Sequence, residues 1–95
     1  MTVDPLEPLR ATFRRRCEVD RRAIMDLVSS GADSGSGDLR RVVHGLSGLA
    51  GSFGYGDISQ LARSAEEALE RGAGLPLDLL DRLCSRLAEV SLAPH

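Results

Sequence analysis

Residues Leu39, Val42, Val43, Leu46, Ala50 and Phe53 fall at offsets of 3, 4, 7, 11 and 14, the spacing of one face of an α-helix. Three other segments carry stripes of the same kind. One runs through Leu6, Leu9, Phe13, Cys17, Ile24, Leu27 and Val28, another through Ile58, Leu61, Ala62, Ala65 and Leu69, and the last through Leu80, Leu83, Cys84, Leu87 and Val90. Glycine-rich breaks at 31–37, Gly54-Tyr55-Gly56 and Gly72-Ala73-Gly74 separate them. Short connections between successive amphipathic helices force antiparallel neighbours. The expected fold is therefore all-α, an antiparallel up-down-up-down four-helix bundle, with one domain over residues 4–93. A chain of 95 residues allows no second domain, and its stripes offer about 20 to 25 apolar side chains for a core. Aromatic residues make up only 3% of the chain, with no Trp, which argues against a β-sandwich. Leu, Ala and Arg dominate instead, and all three favour helices.

Local signals place the helix ends. Asp4-Pro5-Leu6-Glu7 reads as an N-cap, a proline at the first helical position and a capping-box acid. Asp38 reads as the second N-cap, and Asp57-Ile58-Ser59-Gln60 as another capping box. A bend is expected near Asp20, where the first stripe is interrupted. Ser34-Gly35-Ser36-Gly37 reads as a flexible connection without a phosphate-loop pattern. The fourth helix is expected to begin near Pro76 and to fray before Pro94.

All twelve basic residues are Arg, and against fourteen acidic residues they leave a net charge of -2. That balance speaks against nucleic acid as a partner and against a polybasic membrane anchor. The apolar runs are too short to span a bilayer. The N-terminal residues carry neither the basic nor the apolar region of a signal peptide, so the expected compartment is the cytoplasm. Cys17 and Cys84 read as small core hydrophobes rather than a disulfide.

His44 does not fit an ordinary bundle helix. At 100° per residue it points roughly 150° away from the centre of its own stripe. Gly45, Gly48 and Gly51 share this helix, and each costs roughly 1 kcal/mol relative to Ala in a helix interior. Gly48 and Gly51 lie on the outward side with His44, which implies that something outside must approach that face closely. A neutral imidazole nitrogen on such a face is a nucleophile. The only other histidine is His95, and no Cys shares the face, so no metal site is expected. Nor does a bundle of this size imply the cavity that a Ser-His-Asp arrangement with Ser47 or Ser52 would need.

The turn between the second and third helices centres on Tyr55, and residues equidistant from it sit side by side in an antiparallel pair. This rule pairs His44 with Glu66, Ser47 with Arg63, and Arg40 with Glu70. Glu66 lies on the flank of its stripe, within reach of the neighbouring helix. It reads either as a solvated carboxylate or as the acceptor that fixes Nδ1–H and leaves Nε2 free. Arg40 and Arg41 with Glu70 read equally well as a surface ion pair. Arg14-Arg15-Arg16 and Arg21-Arg22 read as a solvated helix face, with a docking patch for an acidic partner as the alternative.

The run His44-Gly45-Leu46-Ser47-Gly48-Leu49-Ala50-Gly51-Ser52-Phe53-Gly54, followed by Leu61 and Leu69-Glu70, resembles the signature of histidine-containing phosphotransfer (Hpt) domains. The motif covers about a third of the chain, and the four-helix layout extends the likeness to nearly all of it. The resemblance implies a phosphorelay carrier. Its histidine, by position His44, takes a phosphoryl group from a receiver aspartyl-phosphate or a sensor histidine kinase and hands it to a response-regulator receiver. It further implies that Glu66 orients the imidazole. Gly48 and Gly51 would be the bare surface that admits the receiver, with Arg40, Arg41, Ser47 and Arg63 also in the partner-binding face. The chain would hold no cofactor of its own, since Mg²⁺ and the acid pocket come from the partner, and it is expected to be a monomer. One departure stands out: the family's usual Lys three residues after the histidine is Ser47 here, and Arg63 or Arg40 would have to supply the charge. That departure supports the alternative of a phosphorylation-independent adaptor that binds receivers or kinases through the same face. A small nucleic-acid-binding bundle using the arginines of the first helix is a third and weaker reading.

Overall fold

The computed structural model describes residues 4–32, 37–72 and 74–92. The chain folds into four α-helices, α1 (Glu7–Ser29), α2 (Gly37–Ser52), α3 (Gly56–Arg71) and α4 (Leu77–Leu92), with no strand among the described residues. Each helix packs on its chain neighbours, α4 closes back on α1, and the diagonal pairs do not touch. Cross-helix contacts fix the directions. His44 meets Glu66 and Arg40 meets Glu70 between α2 and α3, Asp57 meets Arg86 between α3 and α4, and Glu18 meets Ser91 between α1 and α4. The outcome is the antiparallel bundle that the four stripes imply.

The core is built from one face of each helix. Cys17 and Ile24 of α1, Leu39, Val43, Leu46 and Ala50 of α2, Ile58, Ala62, Ala65 and Leu69 of α3, and Leu80, Leu83, Leu87 and Val90 of α4 are buried together. Phe13 is buried beneath the α2–α3 turn, its ring stacked 5.0 Å from that of Phe53 and 4.9 Å from that of Tyr55. This cluster pins the turn to α1. The turn itself is a Schellman closure: Gly54 takes φ 83°, and the Tyr55 amide donates to the Ala50 carbonyl. Gly72 ends α3 in the left-handed region at φ 70°. Both cysteines are free thiols; Cys17 is buried and Cys84 half-buried. Burial, with help from nearby Asp20, pushes the Cys17 thiol up to about 11, which leaves it protonated and inert.

Several local expectations give way to tertiary packing. α1 runs as one unbroken helix through Asp20. The stripe is interrupted because Asp20 itself is buried, with both carboxylate oxygens within 3.1 Å of Arg16 Nε. Leu6 and Leu9 are exposed rather than core. The register that brings Glu18 against Ser91 carries them beyond Leu92. Asp4 is not the N-cap of α1: that place falls to Leu6 without a side-chain bond, and Asp4 instead accepts from the Leu6 amide at 2.9 Å in the turn ahead of the helix, while Glu7 pairs with Arg14. Asp38 lies inside the first turn of α2 rather than ahead of it, paired with Arg41. The capping box at Asp57 does not form, because Asp57 turns to Arg86 on α4 and Ser59 is buried. The flexible 34–36 connection and the fraying before Pro94 fall on residues outside those described.

Two of these carboxylates act oppositely on stability. The Arg86 guanidinium holds the Asp57 carboxyl below its usual range. Its contribution is therefore present above the ordinary Asp range and lost as pH falls through the lowered value. Desolvation holds the Asp20 carboxyl above its usual range, against the opposing pull of Arg16, so its contribution declines as pH rises through the raised value. Asp57→Asn should flatten the acid side of a melting-temperature profile by under about 1 kcal/mol, since the pair is half-exposed. An acid limb as steep as that of the wild type would remove Asp57 from the account.

Candidate functional site

α2 carries its apolar residues inward, which leaves His44 on the outer surface with 74% of its side chain exposed. From α3, Glu66 reaches across and places Oε2 2.6 Å from His44 Nδ1, its own side chain only 19% exposed. A carboxylate only accepts, so Nδ1 is the donor and Nε2 of the neutral ring keeps its lone pair. The two nitrogens point in divergent directions, and engagement of Nδ1 by α3 turns Nε2 away from that helix. His44 sits in a shallow hollow of about 330 Å³ lined by Gly37, Arg40, Arg41 and Glu66. Arg40 is 3.5 Å from Glu70 and Arg41 3.0 Å from Asp38. Two guanidinium groups thus flank the ring from the turn before it.

Gly48 stands one turn after His44, and a Cβ there would meet nothing within 4 Å. That stretch of α2 is open to an approaching surface. Gly51 is exposed as expected, and a Cβ added there would also stand 3.4 Å from Ser59 Oγ on α3. Its bareness lets the two helices close together as well as exposing the surface beyond.

Ser47 also departs from its expected place. It is buried, its hydroxyl donates back to the His44 carbonyl at 2.8 Å, and its own carbonyl accepts from Ser59 Oγ at 2.8 Å. A serine turned into the α2–α3 seam offers nothing to a partner. The α3 residue bonded to it is Ser59, not Arg63. Arg63 is exposed, lines a separate groove with Gly51, Ser59 and Glu67, and makes no ion pair or hydrogen bond among the described residues. Turn symmetry brings together His44 with Glu66 and Arg40 with Glu70, but it does not register how deeply small residues sink at the seam. No local pattern marks Ser59, because it is an intervening position of the Asp57–Gln60 run and its partner, the Ser47 carbonyl, lies on α2.

Among the described residues no group of His, Cys, Asp and Glu is arranged to hold a metal ion, and no helix is long and apolar enough to cross a membrane. No curated protein and no solved structure is significantly similar to the chain. The Hpt domain family matches it over residues 8–92, from the first turn of α1 to the last residue of α4. Four antiparallel helices and a match across all of them make this chain a member of the Hpt domain family, the phosphotransfer modules of two-component signalling.

Proposed function

We propose that His44 is the phosphoryl acceptor, loaded from a receiver aspartyl-phosphate or a sensor histidine kinase and unloaded onto a response-regulator receiver. The supporting observation is the exposed imidazole whose Nδ1–H is held 2.6 Å from Glu66 on a glycine-bared stretch of helix. With Nδ1 protonated, the Nε2 lone pair attacks phosphorus. The N–P bond forms and the P–O bond to the donor breaks, and the leaving group is the receiver's aspartate carboxylate or, where a kinase's ATP is the donor, ADP. No proton has to depart, because the ring becomes a phosphoimidazolium whose positive charge faces Glu66. The carboxylate thus serves twice, by fixing the tautomer and by balancing the developing charge. Arg40 and Arg41 stand close enough to the ring to meet the acidic surface of a receiver. Mg²⁺ and the acid pocket belong to that partner, so this chain acts as a monomeric carrier in the cytoplasm rather than as a catalyst.

Incubation with a phosphorylated receiver should label the protein, and the label should be acid-labile and base-stable. A stable complex with receivers but no label from any of them would support the adaptor reading instead, which the inward Ser47 favours. Gly48→Leu places its side chain in open space, so stability should hold or rise by up to about 1 kcal/mol. Receiver-dependent labelling should fall at least tenfold. Labelling at the wild-type rate would show that the partner does not approach over Gly48.

A further inference from the structure

Arg16 on α1 stands beside the proposed site but played no part in the reading of it. α1 and α3 pack on α2 from opposite flanks and do not touch each other. Glu66 occupies the α3 flank of the imidazole. On the α1 flank, Arg16 Nη2 lies 3.7 Å from where a Cβ would stand on Gly45, the residue after His44. That is an ordinary van der Waals distance, so the guanidinium lies against the surface of α2 at position 45.

The guanidinium is held from behind. Its Nε donates to both oxygens of Asp20, at 3.0 and 3.1 Å, and its remaining N–H groups have no partner among the described residues. Asp20 is buried while the Arg16 side chain is half-exposed. Burying a carboxylate is costly, and its half-exposed arginine partner offsets only part of that cost. A buried anchor is a poor means of stabilising a helix surface but an effective means of aiming a flexible cation. Glu66 engages Nδ1 from the α3 side, which leaves Nε2 free, while Arg16 borders the next residue of α2 from the opposite flank. A dianionic phosphoryl group matches the open edge of Arg16 in charge and geometry.

We propose that Arg16, braced by buried Asp20, is the phosphoryl-binding residue of this site, presenting its outer guanidinium edge to a phosphoryl group carried on His44 Nε2. The inference rests on His44 being the acceptor. It also assigns the cation that position 47 lacks, and the assigned residue comes from α1 rather than from Arg40 or Arg63. The other charged groups around the ring are Arg40 and Arg41 with Asp38 on α2, and Glu66 and Glu70 on α3; α4 does not reach α2.

The test needs no partner protein. Phosphoramidate phosphorylates accessible histidines directly, and the ³¹P resonance then reports the ionisation of the phosphoryl group as pH is varied. A guanidinium in contact with the phosphoryl group, about 4 Å between charges in a water-like medium, contributes about 1 kcal/mol and should lower the midpoint of that ionisation by about 0.7 pH unit. Arg16→Gln should therefore raise it by that amount, whereas Arg63→Gln should leave it in place. In the wild-type protein, phosphorylation should also shift and sharpen the Arg16 Nη–H resonances, a readout that stands even if Arg16→Gln fails to fold. An unchanged midpoint in Arg16→Gln, or Arg16 resonances indifferent to phosphorylation, would overturn this assignment and leave His44 as acceptor. A wild-type protein that gives no phosphohistidine signal at position 44 would overturn both.

Discussion

His44→Gln is expected to take up no phosphoryl group from any receiver or kinase while melting at the wild-type temperature. The wild-type side chain is largely in water and bonds to Glu66 alone. An exposed substitution of this kind changes stability by no more than about 0.5 kcal/mol. Glutamine keeps an N–H donor for Glu66 but offers no nitrogen lone pair, because its amide nitrogen is conjugated. The variant thus removes the nucleophile and little else. Label transfer from a phosphorylated receiver, followed on a gel kept at alkaline pH, would check it. Residual labelling at the wild-type rate would move the acceptor elsewhere and remove the basis of the proposed function.

Leu46→Ala should do the reverse. Leu46 lies two residues after His44 on the opposite face of α2 and is fully buried in the apolar core of the bundle. Truncating it removes contacts and leaves a cavity, at an expected loss of about 2–5 kcal/mol. For a domain of this size each kcal/mol lowers the midpoint by roughly 4–8 °C. A fall of about 10 °C or more in a thermal melt is expected, with a matching shift in the denaturant midpoint. Below its own midpoint the variant should still accept phosphate on His44, since the helix face and Glu66 are intact. A loss below about 1 kcal/mol would mean that the bundle can collapse around the gap, and that the packing is looser than the buried stripe implies.

The two variants separate what one helix does on its two sides, and the same division explains how much was legible beforehand. The inward side is written in periodicity. Leu39, Val43, Leu46 and Ala50 recur at helical spacing and end up in the core. The hairpin rule about Tyr55 was enough to bring Glu66 to His44 because a short turn between antiparallel helices leaves little freedom in register. The helix caps were less legible. Asp57 satisfies every local criterion for a cap, yet it turns to Arg86 on α4, a partner nearly thirty residues away that no local pattern reveals.

The errors at Asp20 and Ser47 share a cause. Both are polar residues read as exposed or structure-breaking, and both are buried with their polar atoms satisfied: Asp20 by Arg16, and Ser47 through the His44 carbonyl and Ser59. Polarity predicts exposure only when no partner is available inside, and the availability of a partner is a property of the assembled helices.

The order of residues by itself determined four helices, their alternating directions and the outward display of His44, because period, turn length and helical pitch are local or nearly local quantities. Tertiary structure alone decided that Arg16 of α1 borders the same stretch of α2, at Gly45. Arg16 and Glu66 come from helices on opposite flanks of α2, and their distances to it depend on how deeply small residues let the helices interlock. That depth is set by the packing of the whole bundle, not by any one segment.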